Sequence, residues 1–214
     1  MLFSNKSKPA VFIHIPKTGG NTIQKHLFDA GVSLDKMTLF GHQEGQDRFE
    51  VRGKYTRKKH MQLSEYYRHK KIRGLEIFTC IRHPLDRLVS FYFSPHRHIR
   101  LEEETQSWVM PSEVKFDINE FKSLVQSNVS MIEMLSFNSQ YGVQFIPSNL
   151  KIIRTESLNQ DAKRHLNLDI QSARNVSPYK EIANIVKADT TVKSIIKNSK
   201  HQADVDFFYG KESE

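Results

Sequence analysis

The strongest constraint on the fold is a short apolar segment followed at once by a glycine turn and a helix. Residues 10–15 (Ala-Val-Phe-Ile-His-Ile) form a nearly continuous apolar run, which is typical of a strand covered on both faces of a parallel sheet. Residues 16–22 (Pro-Lys-Thr-Gly-Gly-Asn-Thr) interrupt the run, and apolar residues then recur at helical spacing as far as Gly31. This order of strand, turn and helix is typical of α/β proteins.

The rest of the chain continues the alternation of strands and helices. Residues 76–81 predict a second buried strand, residues 150–154 predict a third strand, and Pro84 opens a helix. A helix is also predicted over 64–73, and two late helices are separated by Asp189-Thr190-Thr191, which has the composition of a helix cap. One more helix is expected to hold Phe121, Leu124, Val125, Ile132 and Leu135. The pattern predicts an α/β fold: a single domain with a central parallel β-sheet flanked by helices.

Length and composition fit one domain and narrow the class of protein. The chain has 214 residues and a formal net charge of +8, so a single domain and anionic partners are expected. Its one cysteine, Cys80, excludes an intrachain disulfide framework and a cysteine-rich zinc site. No run approaches the length of about 20 apolar residues that crosses a bilayer, and the amino terminus lacks the pattern of a secretory signal. The expected location is therefore the cytoplasm.

The glycine turn has the composition of a phosphate-binding loop. Adjacent glycines allow the backbone to curl and to approach an anion closely. Ligands of open α/β sheets bind where a strand ends and the next helix presents its first N–H groups. The candidate ligands are Lys17, Thr18, Gly19, Gly20, Asn21 and Thr22. The alternative is a connection in which the glycines serve the geometry of the turn alone.

This turn differs from a Walker A loop, in which a Gly-Lys-Ser/Thr sequence follows an earlier glycine at a fixed distance. Here the lysine precedes two adjacent glycines, and no apolar run ending in a magnesium-binding aspartate is evident. A magnesium-dependent kinase is therefore disfavoured. A phosphotransferase that uses ATP at the same loop stays open as an alternative.

A second anion site is predicted after the strand at 76–81. Arg82 leaves the strand end as a planar guanidinium that matches a phosphate, and Ser90 follows about two helical turns later. Arg87 is weighed both as a further phosphate ligand and as one half of a surface ion pair. For Arg82 the alternative is an arginine–carboxylate bridge that closes the strand.

Residues 15–22 (Ile-Pro-Lys-Thr-Gly-Gly-Asn-Thr) and 81–92 (Ile-Arg-His-Pro-Leu-Asp-Arg-Leu-Val-Ser-Phe-Tyr) carry these two anion sites. Together they resemble the two cofactor motifs of PAPS-dependent sulfotransferases, where PAPS is 3′-phosphoadenosine 5′-phosphosulfate. They are most similar to the branch that holds the heparan sulfate 2-O- and 6-O-sulfotransferases and their bacterial relatives. The resemblance implies a P-loop-like sulfotransferase domain over 1–214, in which 94–149 is a candidate acceptor-binding insertion.

The resemblance also implies which residues hold the nucleotide. The first loop would grip the 5′-phosphosulfate, and Arg82 with Ser90 would hold the 3′-phosphate. Residues 154–158 (Arg-Thr-Glu-Ser-Leu) look like a later landmark of the family. In relatives a late loop closes over the nucleotide, so the minor cofactor candidates are Asn175, Ser177 and Lys180.

Sulfuryl transfer needs a base for the acceptor hydroxyl and a cation for the departing phosphate oxygen. Lys17 is predicted to supply the cation, and no metal is expected. A histidine suits the base because its unperturbed pKa is about 6.5. His60 is preferred, because the heparan sulfate enzymes carry their base in a short segment before the second strand; His42 is the runner-up. The alternative for His60 is a solvated member of the basic run 57–60, and His14 is expected to be structural.

The predicted function is transfer of a sulfuryl group from PAPS to an acceptor hydroxyl. A carbohydrate is expected as the acceptor, and 3′-phosphoadenosine 5′-phosphate (PAP) as the product. The alternatives are the phosphotransferase named above and a non-catalytic, basic glycan-binding module. No motif for specific nucleic-acid recognition is found in the sequence. The sequence assigns neither the identity of the acceptor nor the oligomeric state.

Overall fold

The computed structural model of the chain describes residues 2–5, 8–30, 60–68, 74–98, 100–102, 107–109, 111–138, 144–171 and 178–210. These described residues divide into two compact units, one drawn from 1–82 and 131–175 and the other from 83–130 and 176–214. The first unit holds the main sheet, and the second is mostly helical. The single domain expected from the length stays a prediction.

Strands and helices alternate along the described residues. The strands are β1 (Leu2–Asn5), β2 (Lys8–Ile13), β3 (Glu76–Ile81), β4 (Arg100–Glu102), β5 (Ser107–Val109), β6 (Phe137–Asn138), β7 (Gln144–Phe145) and β8 (Leu150–Arg154). The helices are α1 (Gly20–Asp29), α2 (Leu63–Tyr67), α3 (Pro84–Tyr92), α4 (Pro95–His98), α5 (Ile118–Ser127), α6 (Met131–Leu135), α7 (Leu158–Leu166), α8 (Lys180–Ala188), α9 (Thr190–Lys197) and α10 (His201–Phe208), and a 3-10 turn spans Thr155–Ser157.

The sheet of the first unit has the strand order β1-β2-β3-β8. Strands β2, β3 and β8 run parallel, with Ile13 beside Thr79 and Ile81 beside Arg154, and β1 pairs antiparallel with β2. The carboxyl ends of the three parallel strands therefore lie at one edge of the sheet. The predicted α/β fold with a central parallel sheet is confirmed. Strands β3 and β8 have the predicted bounds, whereas β2 ends at Ile13 and the predicted strand ran on to residue 15.

Helices α1 and α7 pack on one face of this sheet. The contact joins strand residues Ala10, Phe12, Phe78 and Cys80 to helix residues Ile23, Leu27, Ala162 and Leu166. Val11, Ile13 and Ile77 point to the opposite face, because strand residues alternate, and they are buried as well. Both faces are thus covered, as the continuous apolar runs predict. Burial raises the pKa of the Cys80 thiol, so this cysteine is a protonated core side chain.

The second unit has an aromatic core at the end of α3. The ring of Tyr92 lies 5.2 Å from that of Phe116 and 5.9 Å from that of Phe121, measured between centroids. Phe93 and Val192 are fully buried in the same cluster. Aromatic edge-to-face pairs of this kind add about 0.5–1.5 kcal/mol each to the stability that area burial provides.

Two aspartates begin helices of the second unit. Asp117 accepts hydrogen bonds from the N–H groups of Asn119 and Glu120 at 2.8 and 2.9 Å, at the start of α5. Asp189 accepts from the N–H groups of Thr191 and Val192 at the start of α9. The cap predicted at Asp189 is therefore confirmed.

One helix predicted as continuous is two helices. Helix α5 ends at Ser127 and α6 begins at Met131, although the apolar spacing runs through the break. Asn128 has an extended backbone with φ −75° and ψ 140°. The Ser127 hydroxyl donates to the Ser123 carbonyl at 2.8 Å, and serine hydroxyls compete in this way with the regular helix ladder. The spacing missed the break because apolar residues on both sides of it are buried.

Other predicted segments have mixed outcomes. Helix α2 covers Leu63–Tyr67, and residues 69–73 of the predicted helix lie outside the described residues. The candidate insertion, 94–149, holds the hairpins β4–β5 and β6–β7, and its role in acceptor binding stays a prediction. None of the helices in the described residues is long and apolar enough to cross a membrane.

Candidate active site

Functional side chains collect where the three parallel strands end. The loop that carries Lys17 follows β2, Arg82 follows β3, and Thr155 follows β8. Ligands of open α/β sheets bind beyond this carboxyl edge, because the polar turns and the first N–H groups of the following helices face it. The sequence placed the two anion motifs at this edge, and the register of the sheet confirms that placement.

The loop after β2 is sharply curled. Lys17 has a φ of 67° and Gly19 a φ of 87°, both in the left-handed region, which a lysine rarely adopts. Thr18 is buried between them and donates from Oγ1 to the Ile15 carbonyl at 2.9 Å. Backbones with alternating left-handed residues form concave turns whose N–H groups bind anions. The strained lysine fits a loop that is built around a ligand.

Helix α1 begins at Gly20, directly after this curl. The N–H groups of its first turn have no partners within the helix, and the helix dipole makes this end positive. The Thr22 N–H already bonds to the Gly19 carbonyl at 2.9 Å, closing the first turn. The loop therefore presents a cation and the positive end of a helix to the same edge of the sheet.

The two adjacent glycines serve different needs. Gly19 requires its positive φ, and a Cβ there would meet Thr155 and Leu158 at ordinary contact distances. Gly20 needs space instead, because a Cβ at this position would lie 2.5 Å from Nε2 and Cδ2 of the His14 ring. The sequence interpretation assigned both glycines to the backbone turn and missed the contact with His14.

His60 lies beside the start of this loop. Its Nδ1 is 2.9 Å from the carbonyl oxygen of His14, and a carbonyl can only accept, so Nδ1 carries the proton. In the neutral ring the lone pair is then on Nε2. The His14 and His60 rings meet edge to face with centroids 4.8 Å apart. His60 is half-buried and anchored, which differs from the alternative of a solvated member of the basic run.

Arg82 is half-buried where β3 ends. Within the described residues it makes no hydrogen bond and no ion pair. The arginine–carboxylate bridge weighed as an alternative is therefore absent from the described part of the chain. A guanidinium that has no bond to any described residue at this edge is suited to an anionic ligand.

Thr155 joins the two anion motifs. Its Oγ1 lies 2.7 Å from the Thr18 carbonyl and 2.8 Å from the Ile81 carbonyl, so its one hydroxyl hydrogen is shared between two acceptors. Thr18 follows Lys17 and Ile81 precedes Arg82. One hydroxyl therefore reaches the backbone beside both cationic residues.

Asp161 fixes the turn that carries Thr155. Its carboxylate accepts from the Arg154 N–H and from the Ser157 hydroxyl, each at 2.8 Å. These bonds hold the 3-10 turn between β8 and α7. The sequence analysis did not select Thr155 as a site residue, and the available signal was its place in the family landmark at 154–158.

The comparisons with known proteins agree with this geometry. The model of the sulfotransferase family matches residues 1–206, which include both anion motifs. The chain belongs to the sulfotransferase family. This family transfers sulfuryl groups to acceptor hydroxyls, so the protein is a transferase of that general class. Searches of curated proteins and of solved structures find no match, and the heparan sulfate branch stays a prediction.

Other predicted site residues of this sulfotransferase belong to the second unit or lie outside the described residues. Ser90 on α3 is half-buried and Lys180 on α8 is exposed, and both belong to the second unit. His42, Asn175 and Ser177 lie outside the described residues. Within the described ranges no group of three or more His, Cys, Asp or Glu side chains is placed to hold a metal ion.

Arg87 differs from one of the two interpretations weighed for it, the surface ion pair, whereas its role as a phosphate ligand stays a prediction. It is 1% exposed and donates from Nη2 to the Asn128 side-chain carbonyl at 3.0 Å. It is therefore a buried residue of the second unit and not part of a surface ion pair. An arginine three residues into a helix gives no sequence signal that separates these cases.

Proposed function

We propose that the protein is a PAPS-dependent sulfotransferase that transfers the sulfuryl group to a hydroxyl of a carbohydrate acceptor. The observation that carries the proposal is the joining of two anion motifs at one sheet edge. Thr155 Oγ1 bonds beside both Lys17 and Arg82, and a nucleotide with two separate phosphate groups needs two such sites.

In this proposal the loop of residues 17–22 binds the 5′-phosphosulfate. Its curl and the start of α1 supply N–H donors, and Lys17 supplies a positive charge. Arg82 binds the 3′-phosphate through its guanidinium fork. The parts assigned to Ser90, Asn175, Ser177 and Lys180 rest on the family resemblance alone and stay predictions.

The chemistry is an in-line displacement at sulfur. The acceptor oxygen forms a bond to sulfur while the bond from sulfur to the 5′-phosphate oxygen breaks, and PAP leaves. Nε2 of His60 takes the proton of the acceptor hydroxyl, since Nδ1 is committed to the His14 carbonyl. The Lys17 ammonium neutralises the charge that develops on the departing oxygen. If His60 is not the base, His42 is the next candidate.

The test is a transfer assay with radiolabelled PAPS and a panel of oligosaccharides and polysaccharides. We expect labelled glycan to form with the wild-type protein. The Lys17→Ala variant, which lacks the neutralising ammonium, is the inactive control. No transfer to any member of a wide panel, by protein that binds PAP, would contradict the proposal that the acceptor is a carbohydrate.

A thermal-shift comparison separates the proposal from its alternatives. A sulfotransferase is stabilised more by PAP than by ATP with Mg²⁺, because only PAP offers a 3′-phosphate to Arg82. The reverse order would indicate a phosphotransferase. Tight binding of polyanions that does not change with either nucleotide would indicate a glycan-binding module.

A further inference from the structure

Three residues pack in a row at the sheet edge: His60, and His14 and Gly20 from the start and the end of the loop after β2. The edge of the His14 ring lies against Gly20, where a Cβ would be 2.5 Å from its Nε2 and Cδ2 atoms. Another edge contact joins the His14 and His60 rings, with centroids 4.8 Å apart. The row therefore connects the phosphate-binding loop to the proposed base.

We propose that His14 is the positioning residue for His60, and that it couples the geometry of the phosphate-binding loop to the base. The inference rests on the proposed function, because His60 is the base only in that proposal. The backbone of His14 accepts a hydrogen bond at its carbonyl oxygen, which keeps the proton of His60 on Nδ1. The side chain of His14 packs against the His60 ring and restricts its orientation.

The burial of His14 suits this role. The residue is 4% exposed, and the Nε2 edge of its ring lies against Gly20. The ring also has little room to swing away, since Phe12 packs against it with centroids 6.1 Å apart. A displacement of the loop at Gly20 is therefore passed on to His60.

The first test replaces the ring and measures the base. His14→Ala keeps the backbone carbonyl but frees the His60 ring to turn. We expect kcat to fall by about 10- to 100-fold, because a displacement of about 1 Å at a reacting group has costs of this size. The KM for PAPS should stay within about 3-fold, since the nucleotide ligands are unchanged. His165→Ala, a half-buried histidine of α7 in the same unit, is the matched control and should leave both constants unchanged.

Nitrogen NMR of labelled histidine reads the tautomer of His60 directly. In the wild-type protein we expect the proton on Nδ1, and in His14→Ala a mixture of the two tautomers, because the His60 ring that His14 no longer holds can turn away from the retained carbonyl. This signal does not depend on turnover, and a purely structural role of His14 would not change it. If His14→Ala fails to fold, the spectrum of the wild-type protein alone tests the inference. A proton on Nε2 of His60 in that spectrum overturns it.

A double-mutant cycle tests the contact between His14 and Gly20. Gly20→Ala should lower kcat and the melting temperature, because the new Cβ displaces the His14 ring. In Gly20→Ala/His14→Ala the ring is gone, so we expect a higher melting temperature than in Gly20→Ala and the same kcat as in His14→Ala. If the fold loss of kcat in the double variant equals the product of the losses in the two single variants, the inference is overturned.

The outcomes separate the two proposals. A wild-type protein that transfers no sulfuryl group contradicts the proposed function, and this inference with it. An active enzyme with multiplying losses, or with an unchanged His60 tautomer in His14→Ala, contradicts the role of His14 alone.

Discussion

At the sheet edge of the first unit, the imidazole of His60 is half-buried and donates from Nδ1 to one backbone carbonyl. In the second unit the imidazole of His201 is completely buried, with Nε2 3.1 Å from the Val125 carbonyl and Nδ1 3.4 Å from the Asp204 carboxylate. In the proposed mechanism a ring with Nδ1 bound to a carbonyl takes a proton at Nε2. A ring with an acceptor at each nitrogen ties helices α5 and α10 together.

The arginines of the two units differ in the same way. Arg82 is half-buried at the sheet edge and makes no hydrogen bond within the described residues, whereas Arg87 is buried and bonds to Asn128. In the proposed function the same side-chain types thus serve a ligand at the sheet edge, whereas in the helical unit they bond to other protein groups. Substitutions at the sheet edge should therefore change activity, and substitutions in the helical unit should change stability.

The largest expected effect is that of His60→Ala on turnover. Loss of the base should lower kcat by about 1,000-fold, while the affinity for PAP stays close to that of the wild type. The free energy of unfolding should fall by only about 1 kcal/mol, the contribution of one hydrogen bond. Steady-state kinetics and calorimetric titration with PAP measure the two effects. A kcat near the wild-type value would show that another residue, with His42 first, is the base.

His201→Ala should have the opposite profile. The substitution removes a fully buried ring together with its hydrogen bonds to the Val125 carbonyl and the Asp204 carboxylate, and the cavity and the lost bonds cost about 3 kcal/mol of unfolding free energy. Turnover by the folded protein should be unchanged. Denaturant unfolding followed by circular dichroism measures the loss, with Gln202→Ala as the neighbouring control that should stay within about 0.5 kcal/mol. A His201→Ala protein with wild-type stability and lost activity would contradict the claim that substitutions in the second unit change stability and not activity.

A smaller loss of stability is expected for Asp117→Ala. The variant removes the acceptor for two N–H groups at the start of α5, and the loss of such a cap costs about 1 kcal/mol. Asp117→Asn, which keeps an acceptor oxygen, should retain most of the stability. The same unfolding measurement checks both variants, and equal losses in the two would show that the cap contributes little.

The smallest effect is the pH dependence contributed by Asp189. Hydrogen bonds from the N–H groups of Thr191 and Val192 lower the pKa of its carboxyl group. Its charged form therefore adds stability above the unfolded-state pKa of about 3.9, and this contribution disappears as the pH falls through the lower folded-state pKa. The difference in unfolding free energy between the wild type and Asp189→Asn should shrink below about pH 4. A difference that grows on acidification would contradict the assignment.

The sequence predicted the elements whose signals are local. The bounds of β3 follow from a short apolar run, which is typical of a strand covered on both faces, and those of β8 follow from the apolar residues Leu150, Ile152 and Ile153. The curl of the loop follows from its glycines, and the cap at Asp189 follows from one residue type at the start of a periodic segment.

The features that the sequence did not predict depend on tertiary contacts, whether the partners are near or far along the chain. Thr155 meets the Thr18 carbonyl across 137 positions of the chain, and no local pattern reports that contact. The wedge of His14 against Gly20 depends on the path of the chain after β2. The burial of His201 is similarly hidden, because its partner Val125 lies on another helix. His60 was selected through the family resemblance and not through its own neighbours.

The most direct test of the central claim is calorimetric titration of PAP and of adenosine 5′-phosphate into the wild-type protein and into Arg82→Ala. The claim is that the loop at 17–22 and Arg82 hold the two phosphate groups of one nucleotide. We expect the wild type to bind PAP about 100-fold more tightly than adenosine 5′-phosphate, as charged hydrogen bonds to one phosphate allow, and Arg82→Ala to lose this preference. An Arg82→Ala variant that keeps the wild-type preference for PAP would contradict the claim.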